Sequence, residues 1–554
     1  MALFAELRRR NVLKVALLYV VASWLILWFV RNTSGALGLP AWADTFVMLL
    51  LAIGFPVALI FAWVYEITPA GLRKAVDVDQ TQSIVYKTGQ KLNAAVAVLL
   101  VLGVLALFGE RLMPKFEFLV PGVPEGDPPA GTAAPADIRS LTLANGLKVI
   151  VWPDHDIPNV VFYNFVRAGS RNEYPGITGL AHFFEHMMFN STENLPPGEF
   201  DRRMEAAGGS NNAYTSNDLT VYMDWFPKTA LETIVALEAD RLQNLSFEPD
   251  VIESERGVVA SERRTRVDNS RIGQLVEQMY ATAFIAHPYQ FPTIGWASDI
   301  AAWTRADLTA FYRTYYAPNN CTVVFTGDVT PAEVFALAEE YFAPIPRQPA
   351  PPAVRTVEPP QLGPRRLLLE VAAQTPLLHM AFHGGAAADP QTEPLNLLLS
   401  ILVDGDSSRL HRALVEDAGI AISVAGWQDE GFDPGLVYFY ATLPAGGDPA
   451  AVEAALLAEL ERVVAGDVTE AELAKAKNIR LAGYWRDLAT IDGKAAALGE
   501  YEVLKGGYEQ LFTLPDRLEQ ITLADLAAAA ERIFDPAGMT VGVLAPPASE
   551  APDR

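Results

Sequence analysis

Residues 179–189 read GLAHFFEHMMF, an apolar run carrying His182, Glu185 and His186. The run predicts a helix. At about 100° per residue, His182 and His186 lie about 40° apart around its axis, and Glu185 lies about 60° to the other side of His182. All three side chains leave the helix in one sector. Two imidazoles at i and i+4 can reach one Zn2+ at about 2.1 Å, and a carboxylate beside them can take a proton from water on the metal. The order H-x-x-E-H is the inverse of the better known H-E-x-x-H. Ordinary core histidines are the plain alternative, but the whole chain has only seven histidines, so the joint pattern points to a metal.

A second pair at the same spacing, His379 and His383, lies in LLHMAFH, a run that reads as a strand. There i and i+4 share a face yet stand about 13 Å apart, so these two are expected to be structural. His155, His287 and His411 have no partner pattern and are read the same way. A zinc site open to substrate needs a third protein ligand. With no further histidine suitably placed, a carboxylate is expected. The helical run ESERGVVASE at 253–262 offers Glu255 and Glu262, seven apart on one face. By spacing alone they read equally as a solvated acidic face.

The bulk numbers agree with an enzyme of several domains. The chain has 554 residues, 51% of them hydrophobic, and a net charge of −24. That charge argues against a nucleic-acid partner, which would need a basic face to displace counterions. The lone Cys321 excludes an internal disulfide and a cysteine-based metal cluster.

Three uncharged apolar runs, at 15–30, 45–65 and 92–109, have about the length a helix needs to cross roughly 30 Å of hydrocarbon. They predict three transmembrane helices in a membrane module over residues 1–115. Arg8, Arg9, Arg10 and Lys14 before the first run, and Arg73, Lys74, Lys87 and Lys91 between the second and third, place those segments in the cytoplasm. In a bacterium the chain would then be a multi-pass inner-membrane protein with everything after residue 109 in the periplasm. The opening segment also resembles a membrane module at the head of various bacterial proteins.

Residues 116–137 are rich in Pro, Gly and Ala and read as a flexible linker; 346–362 read as a second one. Between and beyond them lie two α+β pieces, 138–345 and 363–548, of similar element content. In the first, LKVIVW after the Asn145-Gly146 turn and NVVFYNFV are expected to form an antiparallel pair. Similar content in series suggests duplication.

From about residue 141 to 547 the chain resembles the pitrilysin/insulinase family of zinc peptidases, in the branch close to mitochondrial processing peptidase. The resemblance rests on GSRNE at 169–173, GLAHFFEHMMFNST at 179–192, GGSNNAYTSNDLTVY at 208–222, ESERGVVASE at 253–262, HPY at 287–289 and FYRTYYAPNNCTVVFTGD at 311–328. It implies an α+β fold of two homologous α/β-sandwich halves, each an antiparallel sheet plus helices, closing as a clam-like peptidase behind the membrane helices. It implies zinc ligands His182, His186 and Glu262, a catalytic base Glu185, and a supporting Glu255. It also implies an edge strand around Asn212 and Ala213 that takes a polypeptide substrate as an added strand. The second half would be of the inactive type.

One departure stands out. The family's second half usually supplies an Arg and a Tyr seven residues apart, whereas LVEDAGIAI at 414–422 has Val415 and Ile422 there. Neither can donate a hydrogen bond to a substrate. A homologous subunit without zinc, or self-association, could supply the pair in trans; Arg409 and Arg412 are the local candidates. A non-catalytic scaffold member of the family is the alternative function.

Overall fold

The computed structural model describes residues 137–547 except 372 and 374. It also describes Pro135 and, nearer the N-terminus, Ser23, Leu51, Phe55 and two short strands. The chain divides into two units, 1–128 and 129–554. In the first, β1 (Tyr65–Thr68) pairs antiparallel with β2 (Gly71–Lys74). Among the described residues no helix is long and apolar enough to cross a membrane. The three transmembrane helices are thereby overturned, and with them the membrane module and the inner-membrane and periplasmic placement. Apart from Ser23, Leu51, Phe55 and Tyr65, the three apolar runs lie outside the described residues, and Tyr65 begins a strand. An apolar run supports a span only where one continuous helix carries it, and hydropathy does not supply that helix.

The second unit holds two sheets. The first contains β3 (Arg139–Thr142), β4 (Lys148–Pro153), β5 (Asn159–Val166), β6 (Ser210–Thr215), β7 (Thr220–Pro227) and β8 (Cys321–Gly327), in the order β3-β4-β8-β5-β7-β6. Its helices include α1 (Leu180–Met187), α2 (Leu231–Asn244), α3 (Pro249–Arg263) and α4 (Arg271–Ala283). The second contains β9 (Arg365–Glu370), β10 (Leu377–His383), β11 (Ser423–Glu430), β12 (Pro434–Thr442) and β13 (Thr540–Ala545), in the order β11-β12-β10-β13-β9. Among its helices are α5 (Thr392–Val403) and α6 (Ile491–Leu504).

Two expectations need correction here. The sheets are mixed, not purely antiparallel, since β4 runs parallel to β8 and β9 parallel to β13. Nor do β4 and β5 pair: β8, from 155 residues further along, lies between them. A nearly unbroken apolar strand such as NVVFYNFV is buried on both faces and can accept a distant neighbour on either edge. Apart from β3, the two sheets share one connectivity, with β4, β8, β5, β7 and β6 standing where β9, β13, β10, β12 and β11 stand.

The sheets are joined by an exchange of helices. One face of the first sheet (Val160, Phe162, Val166) packs on α1 and α2. Its other face (Val161, Tyr163, Phe165) merges into the core of the second half, where α6 contributes Leu498. A Cβ on Gly499 would lie 1.9 Å from the ring of Phe165, so only glycine allows this approach. Tyr163 Oη and Trp225 Nε1 both donate to Asp492 on α6, at 2.9 and 2.5 Å. In return α4 lays Leu275 and Met279 against Tyr438 and Leu544 of the second sheet. Each half thus covers a face of the other, leaving β6 and β11 as free edges.

Candidate metal centre

The centre is built on α1 and α3, which pack against each other, with α1 also beside the edge strand β6. The start of α1 is fixed by Glu173: its carboxylate accepts the N–H groups of Gly179 and Ala181, both at 2.7 Å. Amides at a helix start lack partners within the helix and favour a negative group. Glu173 is buried, and that burial drives its carboxyl well above its ordinary range. In the sequence GSRNE serves only as a mark of resemblance and assigns Glu173 no role; an acid placed six residues before Gly179 is the signal that could have found it.

His182 and His186 project together from α1, with ring centroids 4.8 Å apart and ring planes at 70°. Oε2 of Glu262, from α3, lies 3.5 Å from His182 Nε2 and 3.2 Å from His186 Nε2. One ligand atom from each of the three residues falls within 4.8 Å of the others. Four ligands at about 2.1 Å around a tetrahedral ion are separated by about 3.4 Å, so two of these spacings are those of a zinc coordination shell. The donor set, two imidazoles and a carboxylate, is one that Zn2+ accepts with a position left open.

The surroundings carry the same polarity. Glu255 Oε1 lies 2.8 Å from His186 Nδ1, and its Oε2 accepts from Asn190 Nδ2 at 3.1 Å. A carboxylate on the far ring nitrogen fixes the tautomer that presents Nε2 to a metal. Burial alone would lower His186, but its contacts with Glu255 and Glu262 outweigh that and raise it to about 9. Burial lowers His182 to about 4. The cradle therefore favours a positive charge beside His186 and a neutral imidazole at His182.

Glu185 lies beside the pair. Burial raises its carboxyl above the ordinary range, opposed by a 2.6 Å hydrogen bond that its Oε2 accepts from Thr215 Oγ1 on β6. Asn212 and Ala213 lie on the same strand, opposite Met223 and Tyr222 of β7, with the other edge of β6 unpaired. A cavity of about 640 Å3 opens along that edge, lined by His182, Glu185, Asn212, Ala213, Arg266 and Tyr280 among others. Thr215 and Arg266, whose Nε stands 3.0 Å from Glu262 Oε1, are not singled out by the sequence. Helical spacing from Glu262 marks Arg266, whereas Thr215 is linked to Glu185 only through the sheet.

All seven expected site residues thus gather at one place. The local substitutes for the missing pair do not: Arg409 is engaged by Glu472 at 2.7 Å, and neither it nor Arg412 lines this cavity. Val415 packs against the second-half core, and Ile422 is 56% exposed. Every residue lining the cavity falls between His182 and Ile294.

The match to known proteins follows the same division. The family described as Insulinase (Peptidase family M16) matches residues 156–295, and Peptidase M16 inactive domain matches 302–480. Zinc protease PqqE of Helicobacter pylori is 31% identical over 416 residues, covering 74% of this chain and 93% of its own length. A probable mitochondrial-processing peptidase subunit beta of Schizosaccharomyces pombe is 31% identical over 245 residues, 44% of this chain and 53% of that protein. The crystal structure of a protease from Helicobacter pylori superposes with a TM-score of 0.72 at 31% identity, covering 74% of this chain and 99% of that one. A Pseudomonas fluorescens peptidase M16 inactive domain, at 19% identity and a TM-score of 0.69, shares the fold. Several relatives are named zinc proteases, which agrees with Zn2+ as the cofactor. The chain belongs to peptidase family M16.

Proposed function

We propose that this chain is a zinc-dependent endopeptidase of extended or unfolded polypeptides. The observation that carries the reading is the convergence of His182, His186 and Glu262 beside Glu185, beneath the free edge of β6. His182 Nε2, His186 Nε2 and Glu262 Oε2 would hold the ion, and Glu255 would orient His186. A bound Zn2+ supplies Lewis acidity, polarising a carbonyl and making water acidic near neutral pH. Glu185 takes the proton of the attacking water on its carboxylate and delivers it to the departing amine. Thr215 holds that carboxylate toward the strand. The outer edge of β6 around Asn212 and Ala213 offers the unpaired backbone groups of its alternate residues to an extended peptide, a mode that a folded chain cannot enter. The cavity between β6 and α4 keeps the peptide against the centre.

Within this reading, 138–345 is the catalytic domain and 363–548 the inactive-type domain, joined by 346–362. A homologous subunit, or a second copy, supplies the donors that Val415 and Ile422 lack; the support is that, among the described residues, none beyond Ile294 lines the catalytic cavity. A non-catalytic scaffold role is the competing function, and the intact set of four residues disfavours it. The deciding experiment measures bound zinc and cleavage of an unfolded polypeptide by the full chain beside Glu185→Gln. Cleavage that disappears in the variant while zinc stays supports the peptidase. Cleavage that survives in Glu185→Gln overturns it.

A further inference from the structure

Among the described residues the second half gives no side chain to the metal centre, yet it touches the turn that follows the strand bordering it. β6 ends at Thr215 and β7 begins at Thr220. The turn between them carries Asp218, 5% exposed. Its Oδ2 accepts the Tyr289 hydroxyl at 2.7 Å and the backbone N–H of Phe432 at 3.1 Å, while Oδ1 faces Arg171 Nε at 3.1 Å. Phe432 belongs to the turn 431–433, which joins β11 to β12 in the second half. Asp433 closes the contact: its N–H donates to Tyr289 Oη at 3.1 Å, and its carboxylate meets Arg171 and, at 3.1 Å, His287 Nε2. The tips of two hairpins at corresponding places in the two sheets therefore meet across one buried carboxylate.

The fit is tight enough to dictate a residue. A Cβ on Gly431 would lie 2.2 Å from Asp218 Oδ2 and 2.4 Å from Tyr289 Oη. Its φ is not in the left-handed region, so space alone demands glycine here. The turn held in this way is the direct continuation of the catalytic edge. Thr215, three residues before Asp218, donates to Glu185, and Asn217 lines the cavity. The Arg171 N–H donates to the Asn217 carbonyl at 2.8 Å, so Arg171 grips the turn through its backbone as well as its side chain.

We infer that the 431–433 turn of the second half is a buttress that sets the position of β6, with Asp218, Tyr289 and Gly431 as positioning residues for the substrate edge. The inference rests on the peptidase reading for its effect on turnover, but not for its effect on β6. A side chain at Gly431 pushes the tips apart and loosens a strand whose other edge is open, so an added peptide strand binds less tightly.

The test compares Gly431→Ala with the wild-type full chain by hydrogen exchange of residues 210–219, bound zinc, and KM against kcat on an unfolded polypeptide. The expected result is exchange at least tenfold faster in that segment and a KM raised about tenfold, with zinc per chain unchanged. Unchanged exchange in a folded, zinc-loaded variant overturns the buttress, as does faster exchange in an active enzyme with KM within twofold of wild type. Where Gly431→Ala does not fold, Tyr289→Phe removes only the hydroxyl shared by Asp218 and Asp433. It is expected to speed exchange at 216–219 about threefold, and unchanged exchange overturns the inference. Zinc-loaded wild-type protein without cleavage would instead point to the missing partner subunit, and cleavage that survives in Glu185→Gln would overturn the peptidase reading; in either case hydrogen exchange decides the buttress.

Discussion

The chain contains two histidine pairs at the same spacing, and the fold turns them to opposite ends. His182 and His186 lie on α1, where four residues make about one turn and bring the rings within 4.8 Å. His379 and His383 lie on β10, where four residues span about 13 Å. There His379 is buried against Tyr440 at 5.4 Å, and His383 Nε2 stands 3.1 Å from the Ala283 carbonyl. The helix that follows β10 is α5, in the place that α1 holds after β5. Its sequence, TEPLNLLLSILV, is mostly buried and apolar and offers no imidazole. Periodicity, not the histidine spacing itself, decides which pair can share an ion.

The sharpest way to break this contrast is at the base. Glu185→Gln is expected to lower kcat about a thousandfold with zinc retained, the scale of a lost general base. His379→Gln is expected to leave both kcat and zinc unchanged. Zinc analysis beside steady-state kinetics checks both, and a His379 variant that loses zinc would erase the distinction between the pairs.

Next in size is the acid stability that His379 limits. Burial lowers its imidazole to about 4 from an ordinary 6.5. Because the folded value is depressed, the fold favours the neutral ring. Its contribution is intact above pH 6.5 and is lost as pH falls through 4. Over that window the loss amounts to about 3 kcal/mol at 1.36 kcal/mol per unit. Denaturant midpoints of wild type should fall between pH 6.5 and 4 more steeply than those of His379→Gln. Parallel curves would mean that His379 titrates as it does in water; NMR titration of the ring in wild type gives the same answer without a variant.

A smaller effect is expected one step outside the ligands. Glu255→Gln keeps the shape of the contact to His186 Nδ1 but removes its charge, which should weaken zinc about 10–100-fold. Competition with a chelator measures this. An unchanged zinc affinity would return Glu255 to the solvated acidic face that its spacing alone allowed.

These differences also mark what can be read from the sequence. H-x-x-E-H is a local pattern on one helix, so its geometry follows from spacing alone, and the resemblance adds Glu262 and the edge at Asn212 and Ala213. Contacts made through the sheets are not legible in this way. β8 enters between β4 and β5 from far along the chain, and Thr215 reaches Glu185 only because β6 returns beside α1. Apolar strands buried on both faces carry no mark of which neighbour they take, so the expected pairing of β4 with β5 fails. The exchange of α4 and α6 is hidden for the same reason: a helix face shows that it is covered, not by which sheet. The expectation of three spans at 15–30, 45–65 and 92–109 rests on length and hydropathy alone, whereas among the described residues no helix is long and apolar enough to cross a membrane.

The smallest predicted effect tests whether the second half has a hidden catalytic cation. Arg409 is a candidate for the missing arginine, but its Nε and Nη2 donate to the two carboxylate oxygens of Glu472 at 2.7 and 2.8 Å. Glu472 also closes a capping box with Thr469 at the start of the helix Glu470–Asp487. Arg409, followed by the capping contacts, lowers the Glu472 carboxyl to about 2. Because that folded value is depressed, the stabilisation is present above pH 4.5 and is lost as pH falls through 2. The side chain of Glu472 is 29% exposed, so solvent screening reduces the pair to about 1 kcal/mol. Arg409→Gln should therefore lower stability by about 1 kcal/mol at pH 7, converge with wild type toward pH 2, and leave kcat/KM unchanged. A drop in kcat/KM without a matching loss of stability would place Arg409 in the reaction and end the contrast between a chemical half and a supporting one.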